Sequence, residues 1–464
     1  MYLSESKTLR MLTLCGLYVA QGVPWGFVTI TFAAWLAQPR HGLTLEQLGP
    51  ILAVATLPWS FKFVWGPLMD RFTIRRIGRR RPWIIFAQSM AILILGSMLM
   101  IDDLPGMVWT KPPEGNSFFK AIYPFVPGPL AGLILLANVF VSMQDVAVDA
   151  LAVDLLKEEE RGTANGLMYG SSYLGTAIGG AGLGFLVAHY GIRAGLLGQA
   201  ILLSLIMLLP LLFRERPTES SEDEEPVTDD DPSPAVDFGE TPYVPADDLM
   251  PAGGTSPTIA VLVNLFRAFS LRATLIGGLV AISVRVGVGV LTAVFVNYLM
   301  KEGGWTQSEY TQVTGGYAVA LGLVGSVAGG YIADKVGAKK MIALTSILVG
   351  GLWIAFGLTP ASIESKAAVT FMLLGQEFLL AVMSVSLFSL FMSISWPRVA
   401  ATQFTAYMAL MNLSMTIGSY TAGRLSVEMS IYQMLIVAGL LQAVLVLPVL
   451  LIDPKQTRRV LGDV

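Results

Sequence analysis

One short signature occurs twice in this chain, and its copies begin 264 residues apart, at Gly66 and at Gly330. The first reads Gly66-Pro67-Leu68-Met69-Asp70-Arg71 and, after a gap, Gly78-Arg79-Arg80-Arg81. The second reads Gly330-Tyr331-Ile332-Ala333-Asp334-Lys335-Val336-Gly337-Ala338-Lys339-Lys340. Each stands between two long apolar segments. A loop duplicated at matching places implies a duplicated membrane bundle, and two bundles facing each other form the framework of a transporter.

Composition agrees. The chain is 54% hydrophobic and 14% charged, with a mean hydropathy of +0.64, which places it in the membrane class. A single cysteine, Cys15, excludes an internal disulfide. His41 and His189 are the only histidines, both near predicted helix ends, so no metal site is expected. Lys7 and Arg10 precede an apolar stretch too long for the core of a cleavable signal, and the first helix is expected to stay in the protein.

Apolar stretches of about 20 residues read as membrane spans. Twelve are expected: near 10–36, 47–69, 82–101, 129–155, 162–188 and 194–213, then near 273–299, 309–333, 339–358, 368–394, 401–423 and 431–452. This predicts an all-α membrane protein with twelve transmembrane helices in two six-helix bundles, 1–213 and 263–464. With both termini placed on one side, the loops and tails of that side carry 21 of the 30 lysines and arginines. That bias predicts cytoplasmic termini. Lys62 and Arg285 alone fall within spans.

The segment 214–262 differs in character. It holds thirteen acidic residues against Arg214 and Arg216, a net charge of −11 in a chain whose total is −3, and eight prolines. Such a stretch buries too little apolar surface to offset its ordering entropy, so an acidic, disordered cytoplasmic linker is expected. The loop 102–128, with Trp109, Phe118, Phe119 and Tyr123, is expected to cap the bundle near the membrane interface.

The pattern Gly-x-x-x-Asp-(Arg/Lys) followed by Gly-x-(Arg/Lys)-(Arg/Lys) resembles the loop signature of the major facilitator superfamily. Within the first half, Phe61-Lys62-Phe63-Val64-Trp65-Gly66-Pro67, Arg81-Pro82-Trp83 and Gln144-Asp145-Val146-Ala147-Val148-Asp149 are similar to the branch containing AmpG-type muropeptide permeases and acetyl-CoA transporters. Gly22-Val23-Pro24, Glu159-Glu160-Arg161-Gly162 and Ala401-Thr402-Gln403-Phe404 fit the same branch. The resemblance implies the major facilitator fold, a bacterial inner membrane, and a central cavity lined by helices one, four, seven and ten. The chain departs from the branch in helix seven, where Arg285 is followed by Val286-Gly287-Val288 rather than by an acid.

Two sets of residues follow. Gly66, Asp70 and Arg71, with Gly330, Asp334 and Lys335, are expected to form a conformational latch, because a carboxylate beside a helix end or an arginine stabilises one packing of the halves. Charges inside the membrane cost roughly 3 kcal/mol each and need a partner, a wet cavity or a function. Asp145 and Asp149 share one face of helix four, roughly 13 Å and 7 Å from its inner end, and Lys62 lies roughly 12 Å in along helix two. They are either a fixed ion pair or a proton-coupling site in which two neighbouring carboxylates raise one proton affinity. Gln21, Gln144, Arg285, Gln376 and Glu377 fall near mid-depth of the cavity helices, and Gln403 joins them as a binding or coupling candidate. Arg285 is the expected anchor for an anionic group, since guanidinium meets carboxylate or phosphate as a fork.

Gly166/Gly170, Gly175/Gly179, Gly180/Gly184 and Gly325/Gly329 have the spacing of close helix packing rather than of a nucleotide loop. No catalytic cluster is present, so the chain is not expected to be an enzyme. The expected function is secondary active transport of a small anionic or sugar- or peptide-like solute by alternating access. A transporter-like sensor and a facilitative uniporter without ion coupling are the alternatives. No cofactor is expected beyond a proton gradient. The expected partners are the solute and the lipid bilayer, with no nucleic acid and a monomeric chain.

Overall fold

In a computed structural model of the chain the described residues are 2–72, 78–114, 117–156, 158–215 and 257–462. Among them there are helices and one isolated bridge, Tyr2 to Arg214, but no strand. Eleven helical spans are long and apolar enough to cross a membrane. They are α1 Lys7–Leu36, α2 Leu45–Met69, α3 Arg81–Leu99, α4 Pro129–Leu155, α5 Ala164–Tyr190, α6 Ile192–Leu212, α7 Arg272–Lys301, α8 Gln307–Val336, α9 Ala338–Leu358, α10 Lys366–Ile394 and, last in the chain, α12 Ile431–Leu461. The remaining expected span coincides with α11, Ala400–Glu428, which is 29 residues long. Its sequence carries Thr402, Gln403, Thr405, Asn412, Ser414 and Thr416, so it is long enough to cross but less apolar. It sits largely against other helices, with Tyr407, Ser414 and Ser419 buried.

Residues 216–256, the greater part of the expected linker, lie outside the described residues, as does 73–77 within the first signature loop. A helix over Pro257–Phe269 occupies the final residues of the segment expected as linker. Within it Asn264 is buried whereas Phe266 is exposed.

Three spans depart from regular α geometry at the end away from the termini. α1 passes through a π-helical stretch at Phe27–Phe32, α5 at Ile178–Gly182 and α8 at Val313–Tyr317. Pro24 lacks an N–H and starts the irregularity in α1. A π turn leaves carbonyls without their usual donor. Thr31 Oγ1 lies 2.8 Å from Gly179 O and 2.7 Å from Gly180 O, so its hydroxyl serves two of those carbonyls in α5.

The two halves close on each other at this end. A Cβ added to Gly315 of α8 would lie 2.6 Å from the backbone of Ala181 and Gly180 in α5, so only glycine permits the approach. Gly49 of α2 meets the Ser419 carbonyl of α11 in the same way. Thr56 and Thr416 hydroxyls are 2.8 Å apart, Gln38 donates to Gln307 at 2.7 Å, and Lys301 donates to the Leu43 carbonyl. Phe125, from the loop expected as a cap, stacks on Tyr420 of α11. Tyr173 to Ser326, 3.0 Å, and Asn412 to the Trp59 carbonyl, 3.3 Å, lie near mid-depth. Nearer the termini the facing helices are more open. There Tyr169 of α5 is 62% exposed and Val327 of α8 is 71% exposed. Gly166 and Gly170, expected to pack a helix, instead face open space. Gly175 and Gly179 do pack closely, against α1, and Gly325 and Gly329 against α10.

Gly315→Val should therefore destabilise this arrangement and favour one in which the seam is parted. Cysteine labelling of Gln38→Cys or Leu43→Cys should accelerate in that background, and unchanged labelling would show that the seam tolerates the extra volume.

Candidate functional site

The two cations of the membrane interior, Lys62 and Arg285, are set at breaks in their helices. α2 loses its α geometry at Phe61, φ −116° and ψ 10°, three residues after Pro58, and Lys62 opens a short 3₁₀ turn. α7 breaks in the same manner at Arg285, φ −107° and ψ 6°. Broken helices expose backbone groups that only a wet or protein-lined site can satisfy. The Arg285 N–H finds the Ser414 hydroxyl of α11 at 2.9 Å.

On the wall made by the first half, Lys62 Nζ contacts Asp145 Oδ2 of α4 at 2.9 Å. The Tyr18 hydroxyl of α1 donates to Asp149 Oδ1 at 2.5 Å. Tyr18 and Tyr169 meet edge to face, with ring centroids 6.3 Å apart. Asp145 is buried, whereas Asp149, one turn nearer the termini, is half-buried. Lys62, Asp145 and Asp149 thus come together as the sequence predicted, with Tyr18 added.

On the opposite wall, Arg285 Nη2 reaches the Ser384 hydroxyl of α10 at 3.4 Å. Arg285 and Tyr173 also feel the charge of Glu377, yet no Arg285 nitrogen comes within 4.0 Å of a Glu377 oxygen. Gly322 makes room beside them: a Cβ at that position would lie 3.3 Å from Glu377 Oε1 and 3.4 Å from the Tyr173 ring. The Tyr173–Ser326 hydrogen bond joins the two walls next to this group.

The other predicted binding residues divide. Gln21 and Gln144 are buried, and their amide nitrogens have no partner among the described residues. Gln376 is occupied structurally, since its Oε1 accepts from Trp353 Nε1 at 2.7 Å. Gln403 stands apart from both walls. It is fully buried, accepts from the Trp396 N–H at 2.9 Å and donates to the Tyr407 hydroxyl at 3.2 Å. It clamps the turn between α10 and α11, which places it with the helix connection rather than with the cavity.

The signature loops have a structural role that the sequence did not disclose. Gly78 and Gly337 take φ of +123° and +97°, turning the chain sharply into α3 and α9. Arg81 then donates to the carbonyls of Pro210 and of Leu211, the latter at 2.6 Å, at the end of α6. Lys339 donates to Leu450 and Ile452 carbonyls at 3.0 and 2.6 Å, near the end of the matching run in α12. Helix C-termini leave carbonyls unpaired and carry partial negative charge, so one base in each half fastens two helices together.

Glu215 adds a second tie. Its carboxylate accepts from the N–H groups of Arg79, Arg80 and Arg81, at 2.8, 2.8 and 2.5 Å. Arg10–Glu160 at 2.5 Å and Arg80–Asp154 at 2.9 Å are further ion pairs on this face. The side chains of Asp70 and Arg71 lie outside the described residues. Asp334 is exposed and has no hydrogen bond or ion pair among the described residues, Lys335 contacts Tyr331, and Gly66 faces open space. Gly330 lies 3.6 Å, measured from an added Cβ, from Val385 of α10. Arg81→Ala and Lys339→Ala should each cost about 1–2 kcal/mol in a denaturant titration of the purified protein. Loss below about 0.3 kcal/mol, on the order of the weakest surface contacts, would leave these bases as topological signals only.

Two helical walls with opposed charges at mid-depth define a polytopic membrane transporter. Residues 14–419 match the Major Facilitator Superfamily, and the chain belongs to it. The anhydromuropeptide permease of Escherichia coli (strain K12) is 24% identical over 422 residues, covering 88% of this chain and 72% of that protein. The putative transporter AmpG 4 of Rickettsia felis is 26% identical, covering 74% of this chain and 72% of that protein. The fold is similar to that of the nucleoside transporter NupG, with a TM-score of 0.60 at 11% identity over 95% of this chain and 98% of the other. It is also similar to a bacterial homolog of the human lysosomal transporter Spinster, with a TM-score of 0.63 at 14% identity over 99% of both chains.

Proposed function

We propose that this chain is a secondary active transporter that carries a small anionic solute of sugar- or peptide-like character together with a proton. It works by alternating access in a bacterial inner membrane, with both termini in the cytoplasm. One observation carries the reading. The walls at mid-depth present three carboxylates, Asp145, Asp149 and Glu377, against two cations, Lys62 and Arg285. An anionic solute entering such a site adds to a negative surplus, which in a poorly solvated cavity is costly unless a proton enters with it.

The parted halves on the terminal side and the closed glycine seam on the other support alternating access, and the Spinster homolog of similar fold is described as inward-facing. Relatives that include an anhydromuropeptide permease favour a solute with both sugar and peptide features. Arg285 is the anchor for its anionic group, because a guanidinium holds a carboxylate or phosphate through two parallel bonds.

Thermal-shift screening of the purified protein against amino sugars, peptides, muropeptides and CoA esters tests this. Ligands that stabilise the protein should be acidic, and Arg285→Gln should weaken them about ten- to a hundredfold, the loss of one charge-assisted contact. Stabilisation by neutral compounds alone, or an undiminished response in Arg285→Gln, would overturn the reading.

A further inference from the structure

The three charged groups on the first wall are not equivalent. Asp145 is buried at 7% exposure and has an ammonium at 2.9 Å. Among the described residues no cation lies within 4.0 Å of Asp149. The groups that face it are Tyr18 from α1, Lys62 from α2, Asp145 from its own helix and Tyr169 from α5. Only one of these is a hydrogen-bond donor in contact, the Tyr18 hydroxyl on Oδ1. One lysine cannot neutralise two carboxylates, so the cluster carries one negative charge that a single proton would remove.

Resting on the proton-coupled reading above, we propose that Asp149 is the carboxylate that takes the proton and that Tyr18 is the residue that positions it. Asp145 stays ionised throughout as the partner of Lys62. The proton bonds to Oδ2 when the far side of the cleft is open and is released to water in the terminal half, toward which the half-buried Asp149 lies. Tyr18 keeps its own proton and its bond to Oδ1, so no other bond forms or breaks.

Infrared titration of the full chain in liposomes reads this without a substrate, through the carbonyl stretch of a protonated carboxylic acid. The difference between the wild-type and Asp149→Asn spectra, in which the carboxylates common to both cancel, should show such a band growing as pH falls. In Asp145→Asn the band should persist with its midpoint moved to lower pH, because Lys62 then has only Asp149 to pair with. Tyr18→Phe removes a hydrogen bond to the ionised form, so its midpoint should rise by about one to two pH units. No band in that difference would overturn the assignment. An unmoved midpoint in Tyr18→Phe would reduce Tyr18 to a packing role and overturn that half of the proposal. If the band behaves as described but no pH gradient drives solute uptake, the assignment stands and the proton-coupled reading of function falls.

Discussion

Proteoliposomes holding this protein will accumulate its solute when the outside is made acidic, and a protonophore will abolish that accumulation. With one proton per solute, a gradient of one pH unit, worth about 1.4 kcal/mol, supports up to about a tenfold excess inside. Asp149→Asn should bring that excess down to simple equilibration, because an amide holds the cluster permanently in its neutralised charge state. Exchange of labelled for unlabelled solute needs no net proton movement, so it should continue at a rate within a few-fold of the wild type. Accumulation that survives Asp149→Asn would place the coupling elsewhere, and Glu377 on the second wall would be the next carboxylate to replace. Loss of exchange together with accumulation would instead mark Asp149 as part of the binding site or of the fold.

Helical spacing and hydropathy made most of the architecture legible. The expected spans begin and end within a few residues of the helices seen, because about 20 apolar residues in a bilayer have hardly any alternative to a helix. Asp145 and Asp149 could be placed on one face because four residues make about one turn, and Lys62 could be matched to their depth because each residue rises about 1.5 Å. Tyr18 could not be found in this way. Its bond to Asp149 depends on how α1 packs against α4, which no single-helix periodicity reports. Glu215 gave no signal either, being one of thirteen acids in an acidic segment and singled out only by the three N–H groups that meet it. Gln403 shows the same limit. A buried glutamine in a cavity and one that ties a turn look alike until its partners are known. The same limit governed the proton site: depth alone favoured neither carboxylate, and only the position of the Lys62 ammonium separates Asp145 from Asp149.

That ammonium also sets the largest expected effect on stability. Asp145→Asn leaves Lys62 charged and unpaired beside a buried amide, and Lys62→Met leaves Asp145 in the converse state. Removing one partner of a buried pair costs about 3–5 kcal/mol. The Lys62 side chain is 23% exposed and Asp145 10%, so water reaches the pair and the cost should fall near the lower bound, about 3 kcal/mol. Part of the Asp145→Asn penalty is relieved if Lys62 swings one turn toward Asp149, whereas Lys62→Met has no such rescue and forces two carboxylates to share one helix face. The order of stability should therefore be wild type, then Asp145→Asn, then Lys62→Met. The double variant Lys62→Met/Asp145→Leu removes both charges and should recover most of the loss, since a buried pair replaced by apolar groups of similar size is often neutral. SDS titration of the folded fraction for the four proteins measures this. If each single variant loses less than about 0.5 kcal/mol, as at an exposed surface pair, Lys62 and Asp145 are solvated wall residues, and nothing in their pairing then spares Asp145 from protonation in preference to Asp149.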